Sequence, residues 1–273
     1  MSRLKRALEK AREARGEHLE QPLHPVEAPV AVQQPAAEKI APQNFTPFKP
    51  LYTSTRVVKC DAELLRRNKV IAVCTQDSAD RMKILRTQIL NQMSAEGKNT
   101  LLVTSANPGE GKTLTAINLA ISHSHQLDKT VLLVDGDIKK PSVHTYFGIE
   151  NGPGLADCLT RKAEISDVLI NPGMDRIVIL RGGTPHTNSA ELLGSPRMGA
   201  LLQEIKERYP ERFIIFDSAP ILTSADPLVF ANLVDGILIV VEAEKTKRED
   251  IQKVFEMMQN KPIIGTVFNK VID

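Results

Sequence analysis

Thr104-Ser105-Ala106-Asn107-Pro108-Gly109-Glu110-Gly111-Lys112-Thr113 sets the tightest limit on how this chain can fold. The segment follows an apolar run, Leu101-Leu102-Val103, and precedes a helical pattern from Leu114 to Ile121. Strand, small-residue loop, Gly-Lys-Thr and helix, in that order, is the layout of a phosphate-binding P-loop. Gly109 and Gly111 let the backbone curl so that successive N–H groups point inward at a triphosphate. The helix N-terminus adds partial positive charge. In such loops the lysine, here Lys112, reaches the β- and γ-phosphates, and the hydroxyl, here Thr113, ligates Mg²⁺. The expected nucleotide-binding set is therefore Gly109, Glu110, Gly111, Lys112, Thr113 and Leu114. Ala106 stands where the first glycine is usual. A fortuitous Gly-rich turn is the alternative reading, and the strand before and helix after weigh against it.

Two further segments point the same way. Val131-Leu132-Leu133-Val134 ends in Asp135-Gly136-Asp137, and Arg212-Phe213-Ile214-Ile215-Phe216 ends in Asp217-Ser218-Ala219-Pro220. Both are short β-rich runs with acids at their C-terminal ends, the edge where parallel α/β sheets bind ligands. Asp135, Asp137 and Asp217 should converge there on the phosphates. Anions facing anions call for a divalent cation, so Mg²⁺ is implied. Taken alone, either Asp135 or Asp217 reads as an ordinary strand-end turn residue; behind a P-loop, the pair reads as a site.

These three motifs resemble the Walker A, A′ and B motifs of the bacterial tyrosine kinases of capsular and exopolysaccharide systems. The likeness continues through His144-Thr145-Tyr146-Phe147-Gly148, Pro153-Gly154-Leu155-Ala156-Asp157, Ser189-Ala190-Glu191-Leu192-Leu193 with Arg197-Met198, Asp235 to Val241, and Gly265 to Val271. It covers about residues 60–273. Partition and cell-division positioning ATPases are the next relatives; they carry a further P-loop lysine where this chain has Asn107. The resemblance implies a Mg·ATP-dependent protein-tyrosine kinase. Lys112 and Thr113 would hold phosphate and metal, Asp137 and Asp217 would organise Mg²⁺, Asp135 would be the base, and Asn269 would contact adenine. It also implies a membrane polysaccharide co-polymerase as activating partner and a cytoplasmic location at the inner face of the membrane. The alternatives left open are an ATPase switch or scaffold without tyrosine phosphorylation, and a positioning ATPase.

Composition agrees with one α/β domain and an appendage. Of 273 residues, 42% are hydrophobic, a normal globular fraction, and the net charge of +2 gives no drive toward nucleic acid. Cys60, Cys74 and Cys158 are too few and too spread for a disulfide framework or zinc site. No apolar run is long enough to span a bilayer. Residues 1–20 hold a basic helix with Leu4, Leu8 and Ala11 on one face, read as a solvated or partner-binding element ahead of a membrane anchor. Residues 21–50 hold seven prolines and read as an extended linker. Residues 51–99 form a lead-in segment, and 100–273 the nucleotide-binding domain.

Within that domain the alternation of patterns predicts a P-loop α/β fold, a mainly parallel sheet with helices on both faces. Strands are expected near 100–105, 131–135, 176–180, 212–217, 236–243 and 262–269. Helices are expected near 80–95, 112–126, 188–208, 226–233 and 247–260. His123 and His125 do not share a helix face and suggest no metal site.

The chain departs from the family at three places. The helix before the P-loop carries Asp80, Lys83 and Arg86 where the family has a Glu-x-x-Arg-x-x-Arg motif that contacts the next subunit of a ring. A homo-oligomer through these residues is one expectation, and a solvated charged face is the other; lysine lacks the planar fork of arginine. Lys139 replaces an arginine of the A′ motif, with Lys140 as a possible substitute. Autophosphorylating members carry a tyrosine-rich tail, whereas the tyrosines here are Tyr52, Tyr146 and Tyr209. Tyr146 and Tyr209 read as packing residues. Tyr52, beside the linker, is the expected acceptor if self-modification occurs.

Overall fold

The computed structural model describes residues 55–71, 76–93, 97–126 and 128–271. The expected N-terminal helix, the proline-rich linker, Tyr52 and Cys74 lie outside the described residues. The described part is built on one eight-stranded sheet. Its strands are β1 (Arg56–Val57), β2 (Thr100–Ser105), β3 (Thr130–Asp135), β4 (Leu169–Asn171), β5 (Ile177–Leu180), β6 (Arg212–Asp217), β7 (Gly236–Glu242) and β8 (Ile263–Asn269). The order across the sheet is β1-β4-β5-β3-β6-β2-β7-β8. Every pairing is parallel except β4 with β5.

All residues of β2, β3, β5, β6 and β7 are buried. That is why these strands read as near-continuous apolar runs: a parallel sheet is covered on both faces. Successive side chains point to opposite faces, so Leu101 and Val103 enter one core and Leu102 the other. The first core is filled from α2 (Gln76–Gln92) and α3 (Lys112–Ser124) by Ile89, Ile117 and Ile121. The second is filled from α8 (Pro196–Arg208) and α10 (Arg248–Met257) by Met198, Leu201, Ile205 and Val254. Short helices α1 (Ala62–Arg67), α4 (Val143–Tyr146), α5 (Leu155–Leu159), α6 (Ile165–Val168), α7 (Ser189–Leu193) and α9 (Asp226–Phe230) fill the connections.

The expected helix over 188–208 is two helices. Pro196 opens α8, and the residue before a proline is pushed to extended backbone; Ser195 accordingly has ψ 152°. The turn at Gly194–Ser195 breaks the run. Strands β1 and β4, of two and three residues, are too short to show as sequence periods and exist through pairing with each other and with β5.

The lead-in segment is fastened to the P-loop helix. Asn118 on α3 accepts from the Ile71 N–H at 2.9 Å and donates to the Lys69 carbonyl at 3.2 Å. Asn68 donates to the Tyr146 carbonyl at 3.0 Å. Among the described residues, no helix is long and apolar enough to cross a membrane.

Candidate nucleotide site

The P-loop connects β2 to α3 at the C-terminal edge of the sheet. Gly111 caps α3 with φ 96°, a left-handed conformation that glycine adopts without strain. A Cβ there would also strike the Asn269 side chain. Strand order then gathers the acids. β6 lies between β2 and β3, and Asp217 is the register partner of both Val103 and Asp135. Gly136 follows tightly: its N–H donates to the Asp217 carbonyl at 2.7 Å, and a Cβ would strike Phe230.

Lys112 Nζ stands 3.7 Å from Asp217 Oδ1, 3.8 Å from Asp137 Oδ2 and 3.2 Å from the Thr113 hydroxyl. Burial works against this ammonium, but Asp217, Asp137 and Asp135 together hold its pKa above the ordinary lysine value. Asp217 is fully buried and neither of its oxygens has a hydrogen-bond partner. Burial pushes its carboxyl up, while Lys112 and the Thr113 hydroxyl oppose that. Asp135 is anchored through Oδ2, which accepts from the Ser142 and Val143 N–H groups at 2.8 and 2.9 Å. Its Oδ1 is buried and unpartnered, and burial followed by the charge of Asp217 drives its pKa above the carboxylate range. Asp137 accepts from the Lys140 N–H at 3.1 Å. Lys112, Thr113, Asp135, Asp137 and Asp217 are thus one cluster.

Leu114 is half-buried in the first turn of α3. Asn269 donates from Nδ2 to the Glu110 carbonyl at 2.9 Å, so it touches the loop backbone. Residues outside the expected set also reach the loop, among them Lys270, which donates to the Gly109 carbonyl at 2.7 Å, and Thr246, whose hydroxyl donates to Glu110 Oε1 at 2.6 Å. Lys270 directly follows Asn269, a signal that was available; Thr246 had none.

Other expected features lie apart. His123 is buried against Phe213, ring centroids 4.4 Å apart. Lys139 approaches Ser224 Oγ at 3.5 Å and Asp226 Oδ1 at 3.9 Å. Asp80 and Lys83 are exposed and pair with each other at 2.8 Å, whereas Arg86 turns inward and donates to the Ser122 carbonyl of α3. Tyr146 packs against the first core, and Tyr209 carries the Arg212 guanidinium 3.7 Å above its ring. Cys60 and Cys158 are unbridged.

A P-loop between parallel strands, backed by acids on two neighbouring strand ends, defines a nucleotide-binding P-loop protein. Comparison with known proteins agrees. Residues 96–271 match the family described as ParA, NUBPL iron-transfer P-loop NTPase. The tyrosine-protein kinase YwqD of Bacillus subtilis is 34% identical over 75% of this chain and 86% of its own length. The crystal structure of the VpsO kinase domain is 28% identical, with a TM-score of 0.63, over 72% of this chain and 95% of that one. The crystal structure of the chimerical protein CapA2B2 shares the fold, with a TM-score of 0.69 at 24% identity over 82% of this chain and 96% of that one. This chain belongs to the bacterial tyrosine-protein kinases, ATP-dependent phosphotransferases within the P-loop NTPases.

Proposed function

We propose that this chain transfers the γ-phosphoryl group of Mg·ATP to tyrosine hydroxyls within a bacterial exopolysaccharide or capsule system. The observation that carries the reading is the gathering of Lys112, Asp135, Asp137 and Asp217 behind the P-loop, with buried oxygens on Asp135 and Asp217 that accept no hydrogen bond. Among the described residues no group of three or more Cys, His, Asp or Glu is arranged to hold a metal unaided. That suits Mg²⁺, which binds through one or two carboxylates and completes its shell with phosphate oxygens and water. Thr113, Asp137 and Asp217 would hold it, and once bound it would neutralise charge on the phosphates.

The protein's own part is positioning and charge. The curled backbone of Gly109 to Thr113 cradles the phosphates, and Lys112 moves from its carboxylates onto the β- and γ-oxygens. In the transfer the tyrosine oxygen bonds to the γ-phosphorus, the bond to the β,γ-bridging oxygen breaks, and ADP leaves. The hydroxyl proton passes to Asp135. Its Oδ2 is tied to the backbone, which leaves Oδ1 to accept. Asn269, already against the loop, would contact adenine.

The activating partner is a membrane polysaccharide co-polymerase, which places the kinase at the inner face of the membrane through that partner. Assembly of copies uses the exposed Asp80 and Lys83; Arg86, bound to Ser122, holds α2 against α3. The test is phosphotyrosine mass spectrometry on the purified chain with Mg·ATP, with and without the co-polymerase's cytoplasmic segment. Phosphotyrosine that disappears in Lys112→Ala is expected. ATP hydrolysis with no phosphotyrosine on any added protein would replace the kinase reading by the ATPase switch.

A further inference from the structure

The P-loop is held from outside by two strand ends that lie far from it in sequence. From the turn after β7, Thr246 donates its hydroxyl proton to the buried Glu110 carboxylate at 2.6 Å and accepts the Glu242 N–H at 3.0 Å. A hydroxyl has one proton to give, so this pattern fixes its direction. The same carboxylate accepts from the Asn107 N–H at 3.1 Å and the Asn107 amide at 3.4 Å. That amide also reaches Asp250 on α10 at 3.1 Å. From the end of β8, Asn269 pulls on the Glu110 carbonyl and Lys270 on the Gly109 carbonyl. Lys270 is itself steered by Glu242, 3.1 Å away.

The geometry has a direct consequence for the phosphate cradle. In a planar trans peptide the carbonyl and the following N–H point in opposite directions. Drawing the Gly109 and Glu110 carbonyls outward therefore turns the Glu110 and Gly111 N–H groups inward, as an anion-binding nest requires. We infer that Thr246, Asn269 and Lys270 form a clamp that presets the P-loop curl, with Thr246 as its positioning residue acting through Glu110. Glu110 thereby serves nucleotide binding through its side chain, which fixes the loop, as well as through its backbone.

This inference rests on the P-loop being the nucleotide site. A preset loop favours ATP and ADP equally, so losing the clamp should raise KM and leave kcat nearly unchanged. The experiment titrates the full chain, with Mg²⁺, against N-methylanthraniloyl-labelled ATP and ADP. It uses Thr246→Val, which keeps shape and removes the hydroxyl, Thr246→Ser, which keeps the hydroxyl, and Lys270→Met. Thr246→Val should weaken both nucleotides about tenfold, the loss of one charge-assisted hydrogen bond. Thr246→Ser should bind within about twofold of wild type, and Lys270→Met should weaken both nucleotides several-fold. Wild-type affinity in Thr246→Val with a lowered melting temperature would mean a merely structural contact and overturn the clamp. Equal weakening in Thr246→Ser would do the same, because binding would then respond to any change of packing at this position and not to the hydroxyl. Lys112→Ala runs alongside: unweakened binding there would remove the nucleotide site itself, a failure distinct from that of the clamp.

Discussion

The two edges of the sheet treat their aspartates in opposite ways. At the N-terminal edge Asp235 Oδ2 accepts from the Asn99 N–H, the Thr100 N–H and the Thr100 hydroxyl, with Lys206 3.4 Å away. Burial works against that carboxylate, yet the Thr100 and Asn99 donors win and its pKa falls below the usual value. At the C-terminal edge Asp217 is fully buried and accepts no hydrogen bond, Lys112 stands 3.7 Å away, and burial outweighs that cation so that its pKa is raised. A satisfied carboxylate ties strands together. An unsatisfied one costs the fold free energy and is retained where a ligand completes it. Under the proposed function, the difference separates scaffold from chemistry within one sheet.

The largest expected effect lies on the chemical side. Lys112→Ala, and Thr113→Ala with Mg²⁺ present, should each lower phosphoryl transfer by about 10²-fold or more, since each removes charge stabilisation from the transition state. ATP turnover on purified variants, with circular dichroism to verify folding, checks this; unchanged turnover in both would erase the contrast between the edges. On the scaffold side, Asp235→Ala should cost about 1–3 kcal/mol in denaturant unfolding, because it strands buried donors, while KM and kcat stay near wild type. A loss of turnover with intact stability would place chemistry at the wrong edge.

A third expectation concerns a buried group that belongs to neither edge. Burial, followed by Arg86, holds the His123 pKa down at about 3. The unfolded chain takes up this proton below about pH 6.5, and the folded chain resists it to about pH 3. The stabilising contribution is therefore complete above pH 6.5 and declines as pH falls through that window, by about 1.4 kcal/mol per unit. Urea unfolding at pH 7 and pH 5 should show a smaller difference in His123→Phe than in wild type. The smallest effects are at α2. Asp80→Lys should leave the melting temperature unchanged and shift assembly toward monomer in light scattering with Mg·ATP. Arg86→Ala should cost about 1 kcal/mol through its lost bond to Ser122. If Asp80→Lys assembles as wild type does, this face is only solvated.

What the sequence disclosed was what is local. The P-loop and the two strand-end acid motifs are contiguous stretches, and parallel-sheet topology brings any such ends to one edge. The inward turn of Arg86 was hidden by counting positions: six residues along a helix is about 120° from the starting face, enough to aim it at α3. Thr246 and Lys270 escaped for another reason. They lie 136 and 161 residues from the loop atoms they hold; only the adjacency of Lys270 to Asn269 hints at either of them. The split of α7 from α8 was legible at Pro196 and needed only the rule for the residue before proline.

The most direct test of the central claim is Asp217→Asn, with phosphotyrosine formation and denaturant stability measured on the same preparation. A carboxylate kept for a ligand should lose activity by about 10²-fold or more while stability stays near wild type, since the amide removes a fully buried charge whose ion pair with Lys112 is long, at 3.7 Å. Activity near wild type together with a clear loss of stability would make Asp217 another scaffold aspartate and contradict the assignment of this edge to phosphoryl transfer.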